Sequence, residues 1–291
     1  MGLLSRFGKM FGSQSKVNVR ARFELLREAI SGTMSSFYMA RDRESGRVVG
    51  LKVLDKDKTA ALEARFTGLK KPKEGEIAIT FKHPHIVETL EHGITTENEQ
   101  YVVMEFLDGP GMNSLIVGRN AELQGHRLML IQQAAEALMA VHAAGYIHRD
   151  ICPRNFVLNR DGDTLKLIDF GLTVPATPPY MQPGNRTGTA NYMAPEVVRR
   201  RATDQRLDIF AFGVTAYELC AFELPWPRGT GQAAMAHGTE DPTDIRRYCP
   251  WINPRLAEAI TACLAPSPEK RPKSMEQFLK LIKGLKREDE K

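Results

Sequence analysis

The order of the secondary-structure signals constrains this chain most: strand signals come first and helical signals follow, with no alternation between the two. From Phe23 to Leu54 the sequence reads as three strands, with β-branched and aromatic residues around Phe37, Tyr38, Val48 and Val49 and a turn at Asp42 to Gly46. A Lys-rich stretch from Asp55 to Lys73, holding Gly68 and Pro72, precedes a helical segment from Glu74 to Phe81 and the turn His83-Pro84. Two more strands fit Ile86 to Ile94 and Gln100 to Phe106. After the hinge Asp108-Gly109-Pro110-Gly111, Leu128, Ile131, Ala135, Leu138 and His142 recur at steps of three and four, the spacing of one buried helix face. Such an order implies an α+β protein with a small sheet-rich lobe and a larger helical one.

Composition narrows the function classes. The 291 residues are 42% hydrophobic and 26% charged, which excludes a collagen-like, low-complexity or wholly disordered chain. A net charge of +5 over this length is too weak to imply nucleic acid as a partner. Cys152, Cys220, Cys249 and Cys263 are scattered, with no zinc-type spacing, and fit a reducing compartment. No apolar run approaches the roughly 20 residues of a membrane span, and no signal-peptide core opens the chain, so a cytoplasmic location is expected. Leu3, Leu4, Phe7, Met10 and Phe11, with Arg6 and Lys9 between them, fit either a basic interfacial helix touching a membrane through residues 3–11 or a frayed tail, which Gly8 and Gly12 favour. Lys283 to Lys291 reads as a charged, mobile tail.

Two segments carry the chemistry. Tyr146-Ile-His-Arg-Asp-Ile-Cys-Pro-Arg-Asn155 is followed, after a strand-like stretch, by Leu165-Lys-Leu-Ile-Asp-Phe-Gly171. Phosphoryl transfer needs a carboxylate for the attacking hydroxyl and hard oxygen ligands for Mg²⁺. Asp150 suits the first role, and Asn155 and Asp169 the second. In order and spacing these segments resemble the His-Arg-Asp and Asp-Phe-Gly signatures of the eukaryotic-type Ser/Thr protein kinase family. The resemblance covers Phe23 to Ile282 and implies a bilobal kinase-like fold: a tail over 1–22, a β-rich N-lobe over 23–107, a helical C-lobe over 108–283 and a charged tail over 284–291. It also implies ATP and Mg²⁺ as cofactors and a protein with a Ser or Thr acceptor as substrate.

By the same resemblance, Lys52 of Val49-Gly-Leu-Lys52 holds the α- and β-phosphates. Its glutamate partner is Glu74 or Glu76; spacing from His83-Pro84 selects Glu74, and either could equally be a first-turn capping group. Ile30, Gly32, Phe37, Gly50, Met104, Glu105, Leu107 and Val157 complete the implied nucleotide pocket. Thr187-Gly-Thr-Ala-Asn-Tyr-Met-Ala-Pro-Glu196 resembles the end of the activation segment, with Glu196 paired to Arg271. Asp208 matches the aspartate that braces the catalytic loop, or is a plain carboxylate at a helix start. Thr189 and Pro153 point to Ser/Thr specificity, with Thr189 bordering the substrate pocket and touching Asp150. Arg149 is where the family docks a phosphorylated threonine; Asn185 stands at the commonest position for it, leaving Thr187 and Thr177 as fallback candidates that read first as ordinary loop threonines.

The departures matter as much. The glycine-rich loop reads Ile30-Ser-Gly-Thr-Met-Ser-Ser-Phe37 and keeps only Gly32, which predicts a stiffer loop and a weaker phosphate grip. Phe37 and Gly50 both depart from the family, and the larger ring is expected to fill the space the glycine leaves. Cys152 replaces the catalytic-loop lysine, and Arg154 is expected to supply the missing cation. The rival reading is a pseudokinase that binds a partner with weak or no phosphoryl transfer. A small-molecule phosphotransferase is disfavoured by the Ala-Pro-Glu segment and Arg271, and a P-loop NTPase by the lack of Gly-x-x-x-x-Gly-Lys-Ser/Thr.

Overall fold

The computed structural model describes residues 16–31, 34–66, 68–184, 186–226 and 233–290, with backbone alone at 28–31, 233 and 235. The expected helix over residues 3–11, Gly32 and Asn185 fall outside the described residues. The chain divides into two compact units, the first running to Ala64 and resuming over Thr89–Phe106, the second comprising Arg65–Glu88 and the chain from Leu107 onward.

In the first unit, Asn18 accepts from Ala21 N and so caps a short helix, α1 (Val19–Arg22), that leads into an antiparallel sheet. Strands β1 (Phe23–Ser31), β2 (Ser35–Asp42) and β3 (Val48–Leu54) are the three expected from the sequence. Helix α2 (Lys56–Glu63) follows, and β4 (Thr89–Ile94) and β5 (Gln100–Glu105) complete the five-stranded order β1-β2-β3-β5-β4. Side chains alternate between faces along each strand, and directly paired residues share a face. One face buries Ala40, Val49, Leu51, Tyr101 and Val103 together with Val19 and Phe23 from the start of the unit. The pairs Phe37 with Lys52 and Gly50 with Met104 therefore lie on the other face. Arg22 locks the edge by donating to Glu91 at 2.8 Å and to Asp42 at 3.2 Å, while the Tyr101 hydroxyl donates to Glu91 at 2.6 Å.

The second unit begins with residues 65–88, which lie within the stretch 23–107 expected to form one lobe. Its helix α3 (Glu74–Ala78) is followed by Phe81, stacked on Phe170 with ring centroids 4.9 Å apart. Val87 N donates to Leu167 O at 3.0 Å and Leu167 N to His85 O at 2.9 Å, so Ile86 and Val87 are stitched to a strand of the second unit, and β4 starts only at Thr89. Then come α4 (Met112–Val117), α5 (Arg127–Ala143), β6 (Tyr146–Ile147), β7 (Phe156–Leu158), β8 (Leu165–Leu167) and β9 (Val174–Pro175). Helices α6 (Pro195–Val198), α7 (Arg206–Ala221), α8 (Ala233–Ala236), α9 (Pro254–Cys263) and α10 (Met275–Leu281) complete the unit. Leu128, Ile131, Ala135 and Leu138 of α5 are buried as their spacing predicts. Helix α7 is buried on every side from Leu207 to Ala221, as a helix apolar all round must be. Gly213 lets α9 approach it, since a Cβ there would lie 2.6 Å from the Cys263 Cβ.

The terminal segment differs from the mobile tail expected of its charge. Glu288 is 1% exposed, accepts from Gly125 N at 2.6 Å and lies 3.6 Å from the Arg127 guanidinium, while Asn253 N donates to its carbonyl at 2.6 Å. The cation and the N–H groups preceding and opening α5 hold this carboxylate, which is why charged residues are docked here.

Candidate active site

The site of the second unit is built on a loop between two ribbons. β6 pairs with β9 and β7 with β8, and the segment from His148 to Asn155 spans from one to the other. Asp208, fully buried in the first turn of α7, accepts His148 N and Arg149 N at 2.8 Å each and lies 2.9 Å from His142 Nε2. Those bonds hold Arg149 at φ 71, a left-handed conformation that costs energy in a non-glycine residue and so needs bracing.

Asp150 follows. Its Oδ1 accepts from Thr189 N at 2.9 Å and from the Thr189 hydroxyl at 2.8 Å, and its Oδ2 accepts from Asn155 Nδ2 at 3.2 Å. Gly188, at φ +114, makes this approach possible, because a Cβ there would lie 2.6 Å from Arg149 O. Arg154 is exposed and donates to Thr189 Oγ1 at 3.3 Å. Cys152 is buried, and burial with the nearby Asp150 charge pushes its thiol up to about 11, so it carries no charge at neutral pH.

The β7–β8 ladder brings the two metal-ligand candidates together. Asn155 immediately precedes β7, Ile168 N donates to Asn155 O at 2.8 Å, and Asp169 is the next residue, at φ 66. Asn155 spends its amide hydrogens on Asp150, with a second bond to the Asp150 carbonyl at 2.7 Å, so its Oδ1 is the atom able to ligate. An amide oxygen and a carboxylate are hard donors of the kind Mg²⁺ takes when phosphates and water supply the rest. A Cβ at Gly171 would lie 3.2 Å from Asp169 Oδ1 and 3.3 Å from Glu74 Oε2, which places the buried Glu74 carboxylate close to Asp169. Glu76 is exposed and accepts from Lys73 N at 2.9 Å, capping its own helix.

In the first unit the non-core sheet face carries Lys52, which is 8% exposed, opposite Phe37. A Cβ at Gly50 would lie 2.8 Å from Phe37 Cζ and 3.0 Å from Met104 Cγ, so the Phe37 ring occupies the space the glycine leaves. Ile30 pairs with Phe37 through the backbone, and Glu105 with Val49. In the second unit, Leu107 is half-buried and Val157 of β7 bridges to Gly111.

With this geometry in hand, comparison with known proteins is direct: the family model described as protein kinase domain matches residues 23–281. The chain belongs to the eukaryotic-type Ser/Thr protein kinase family. This kinase domain is 32% identical over 264 residues to the serine/threonine-protein kinase Pkn1 of Myxococcus xanthus, covering 88% of this chain and 37% of that protein. It is 28% identical to pkn3 of the same organism, covering 88% of this chain and 48% of that protein. It is 29% identical to PknA of Mycobacterium tuberculosis, covering 93% of this chain and 62% of that protein. The chain thus spans between about a third and three-fifths of the length of these relatives.

The remaining residues of the kinase domain occupy structural positions. Glu196 and Arg271 form a buried two-pronged ion pair at 2.7 and 2.8 Å, and Arg271 also donates to the carbonyls of Ala265, Arg206 and Pro266. Thr177 is exposed and Thr187 buried. Sequence reasoning missed His142 as a partner of Asp208: it sits on the apolar stripe of α5 and reads there as a core residue. It also missed Tyr180, whose hydroxyl donates to Lys70 O at 2.9 Å and anchors the activation segment beside the stretch before α3. Among the described residues no helix is long and apolar enough to cross a membrane.

Proposed function

We propose that this domain transfers the γ-phosphate of ATP to a serine or threonine hydroxyl of a protein, with Asp150 as the base that receives the hydroxyl proton. The observation that carries the reading is the convergence of Asp150, Asn155 and Asp169 at one end of the β7–β8 ribbon, each oriented by a backbone or side-chain bond. Asn155 and Asp169 would hold Mg²⁺, which supplies charge neutralisation on the phosphate oxygens when bound. Lys52 binds the α- and β-phosphates in this reading. Of the two glutamates, Glu76 is spent on its own helix end, which supports Glu74 for the glutamate role in this reading. Thr189 fixes Asp150 and borders the acceptor, which supports Ser/Thr over Tyr specificity. Arg154 supplies the catalytic-loop cation that the neutral Cys152 cannot.

Incubation with γ-labelled ATP, Mg²⁺ and a generic Ser/Thr protein substrate tests the reading. The native chain labels the substrate, and Asp169→Asn, which keeps the side chain's shape and an oxygen able to accept from Gly171 N, abolishes labelling while the melting temperature holds. Labelling that survives Asp169→Asn overturns the metal-ligand role of Asp169, and no labelling by the native chain overturns the kinase reading in favour of a partner-binding pseudokinase.

A further inference from the structure

The end of the activation segment carries charge that phosphoryl transfer does not use. Between Ala176 and Arg201 stand Arg186, Arg199, Arg200 and Arg201 against a single carboxylate, Glu196. Glu196 is buried and paired with Arg271 at 2.7 Å, so the exposed charge of this stretch has one sign. All four arginines are exposed, and Arg199 donates to the Gly238 carbonyl at 2.8 Å, a neutral acceptor.

Their placement relates them to the acceptor position. A cavity beside Asp150 is lined by Thr187, Thr189, Tyr192, Met193 and Val197. Arg200 N donates to Val197 O at 3.1 Å and Arg201 N to Glu196 O at 2.8 Å, so the backbone of these two exposed residues lies within one turn of that wall. Arg186 is next to Thr187 in the chain, and the Arg154 guanidinium is 3.3 Å from Thr189 Oγ1. Positive charge in the sequence therefore neighbours a lining that also includes Arg149 and whose one carboxylate, Asp150, is engaged by Thr189 and Asn155.

We propose that this surface selects acidic peptides, placing a serine or threonine flanked by aspartate or glutamate against Asp150; the proposal rests on the kinase reading above. A field of one sign steers oppositely charged partners and disfavours like-charged ones. Each exposed pair contributes little by itself, so selectivity comes from several acting together and weakens with salt.

Three peptides sharing one threonine, with neutral, acidic or lysine flanks, test this at low and high salt, using the native chain and an Arg200→Glu/Arg201→Glu variant. The acidic peptide should exceed the neutral one in kcat/KM by about tenfold, with the lysine peptide below both. That advantage should shrink to about threefold or less in high salt and in the variant, while neutral-peptide turnover stays level. Equal rates, a basic preference, or an acidic preference that the variant retains would overturn the proposal. So would a gain confined to a peptide carrying phosphoserine in place of the acidic flank, or capture by phosphatidylglycerol vesicles without acidic-peptide binding. Fluorescence anisotropy of a labelled acidic peptide without ATP separates the two readings. Binding that the variant loses, with no peptide phosphorylated, upholds the surface and overturns the kinase assignment; no binding overturns the surface even where the neutral peptide is turned over.

Discussion

Adding one methyl group at Gly50 tests how this domain shapes the face that carries Lys52. The new Cβ would lie 2.8 and 3.1 Å from two atoms of the Phe37 ring and 3.0 Å from Met104 Cγ, against about 3.5–4.0 Å for an ordinary carbon contact. Overpacking of this kind costs about 1–3 kcal/mol, and the entropy gained from Gly to Ala returns about 0.4–1 kcal/mol where the backbone tolerates it. Gly50→Ala should therefore destabilise the protein by about 0.5–2 kcal/mol, or swing Phe37 aside and raise the KM for ATP. Phe37→Val removes the obstructing ring, so the double variant should recover most of the loss, with a coupling energy of about 1–2 kcal/mol. Urea unfolding of the four proteins, with KM for ATP on each, measures both routes. If Gly50→Ala costs nothing by either measure, or the two changes simply add, Phe37 and Gly50 are not a matched pair.

Replacing Arg154 with alanine should lower kcat on a threonine peptide by at least about tenfold, with lysine there restoring part of it; an unchanged kcat removes Arg154 from the catalytic role. In the first unit, burial raises the carboxyls of Asp42 and Glu91, but hydrogen bonds from Arg22, aided by Ser45 and Tyr101 respectively, outweigh it and hold both below their ordinary 3.8 and 4.5. Groups depressed in the folded state contribute stability that is present above those values and lost as pH falls through the lower folded ones. Unfolding midpoints should therefore fall steeply below about pH 4.5, and Arg22→Gln should lower the midpoint at pH 7 and flatten that fall. An equally steep acid limb in the variant would place the acid sensitivity elsewhere.

The strands from Phe23 to Leu54 and the loop signatures are legible because their determinants are local: β-branched residues in the first case, and contiguous residues of fixed chemistry in the second. Helix α2 is not. It buries no residue, so it has no apolar period to read, and its signal lies in Asp55, which caps two N–H groups, and in the run of good helix formers after it. Spacing in the sequence favours Glu74 over Glu76 without excluding a small gap, and burial of Glu74 with the capping bond of Glu76 adds what spacing lacks. Glu288 reads as solvated because the groups that hold it, Arg127 and Gly125 N, are supplied from far along the chain. Ile86 and Val87 carry a strand's composition but bond to the β8 edge, a choice set by tertiary pairing.

That choice sets an order of assembly. As the chain leaves the ribosome, the five-stranded sheet has all its strands once Glu105 has emerged, with residues 65–88 looped out between β3 and β4. Those residues have no place to go at that moment, for His85 bonds to Leu165 across a sequence separation of 80. Until Phe170 has been synthesised just beyond β8, Phe81 remains without the ring that later stacks on it, a window in which this segment is open to proteases and chaperones.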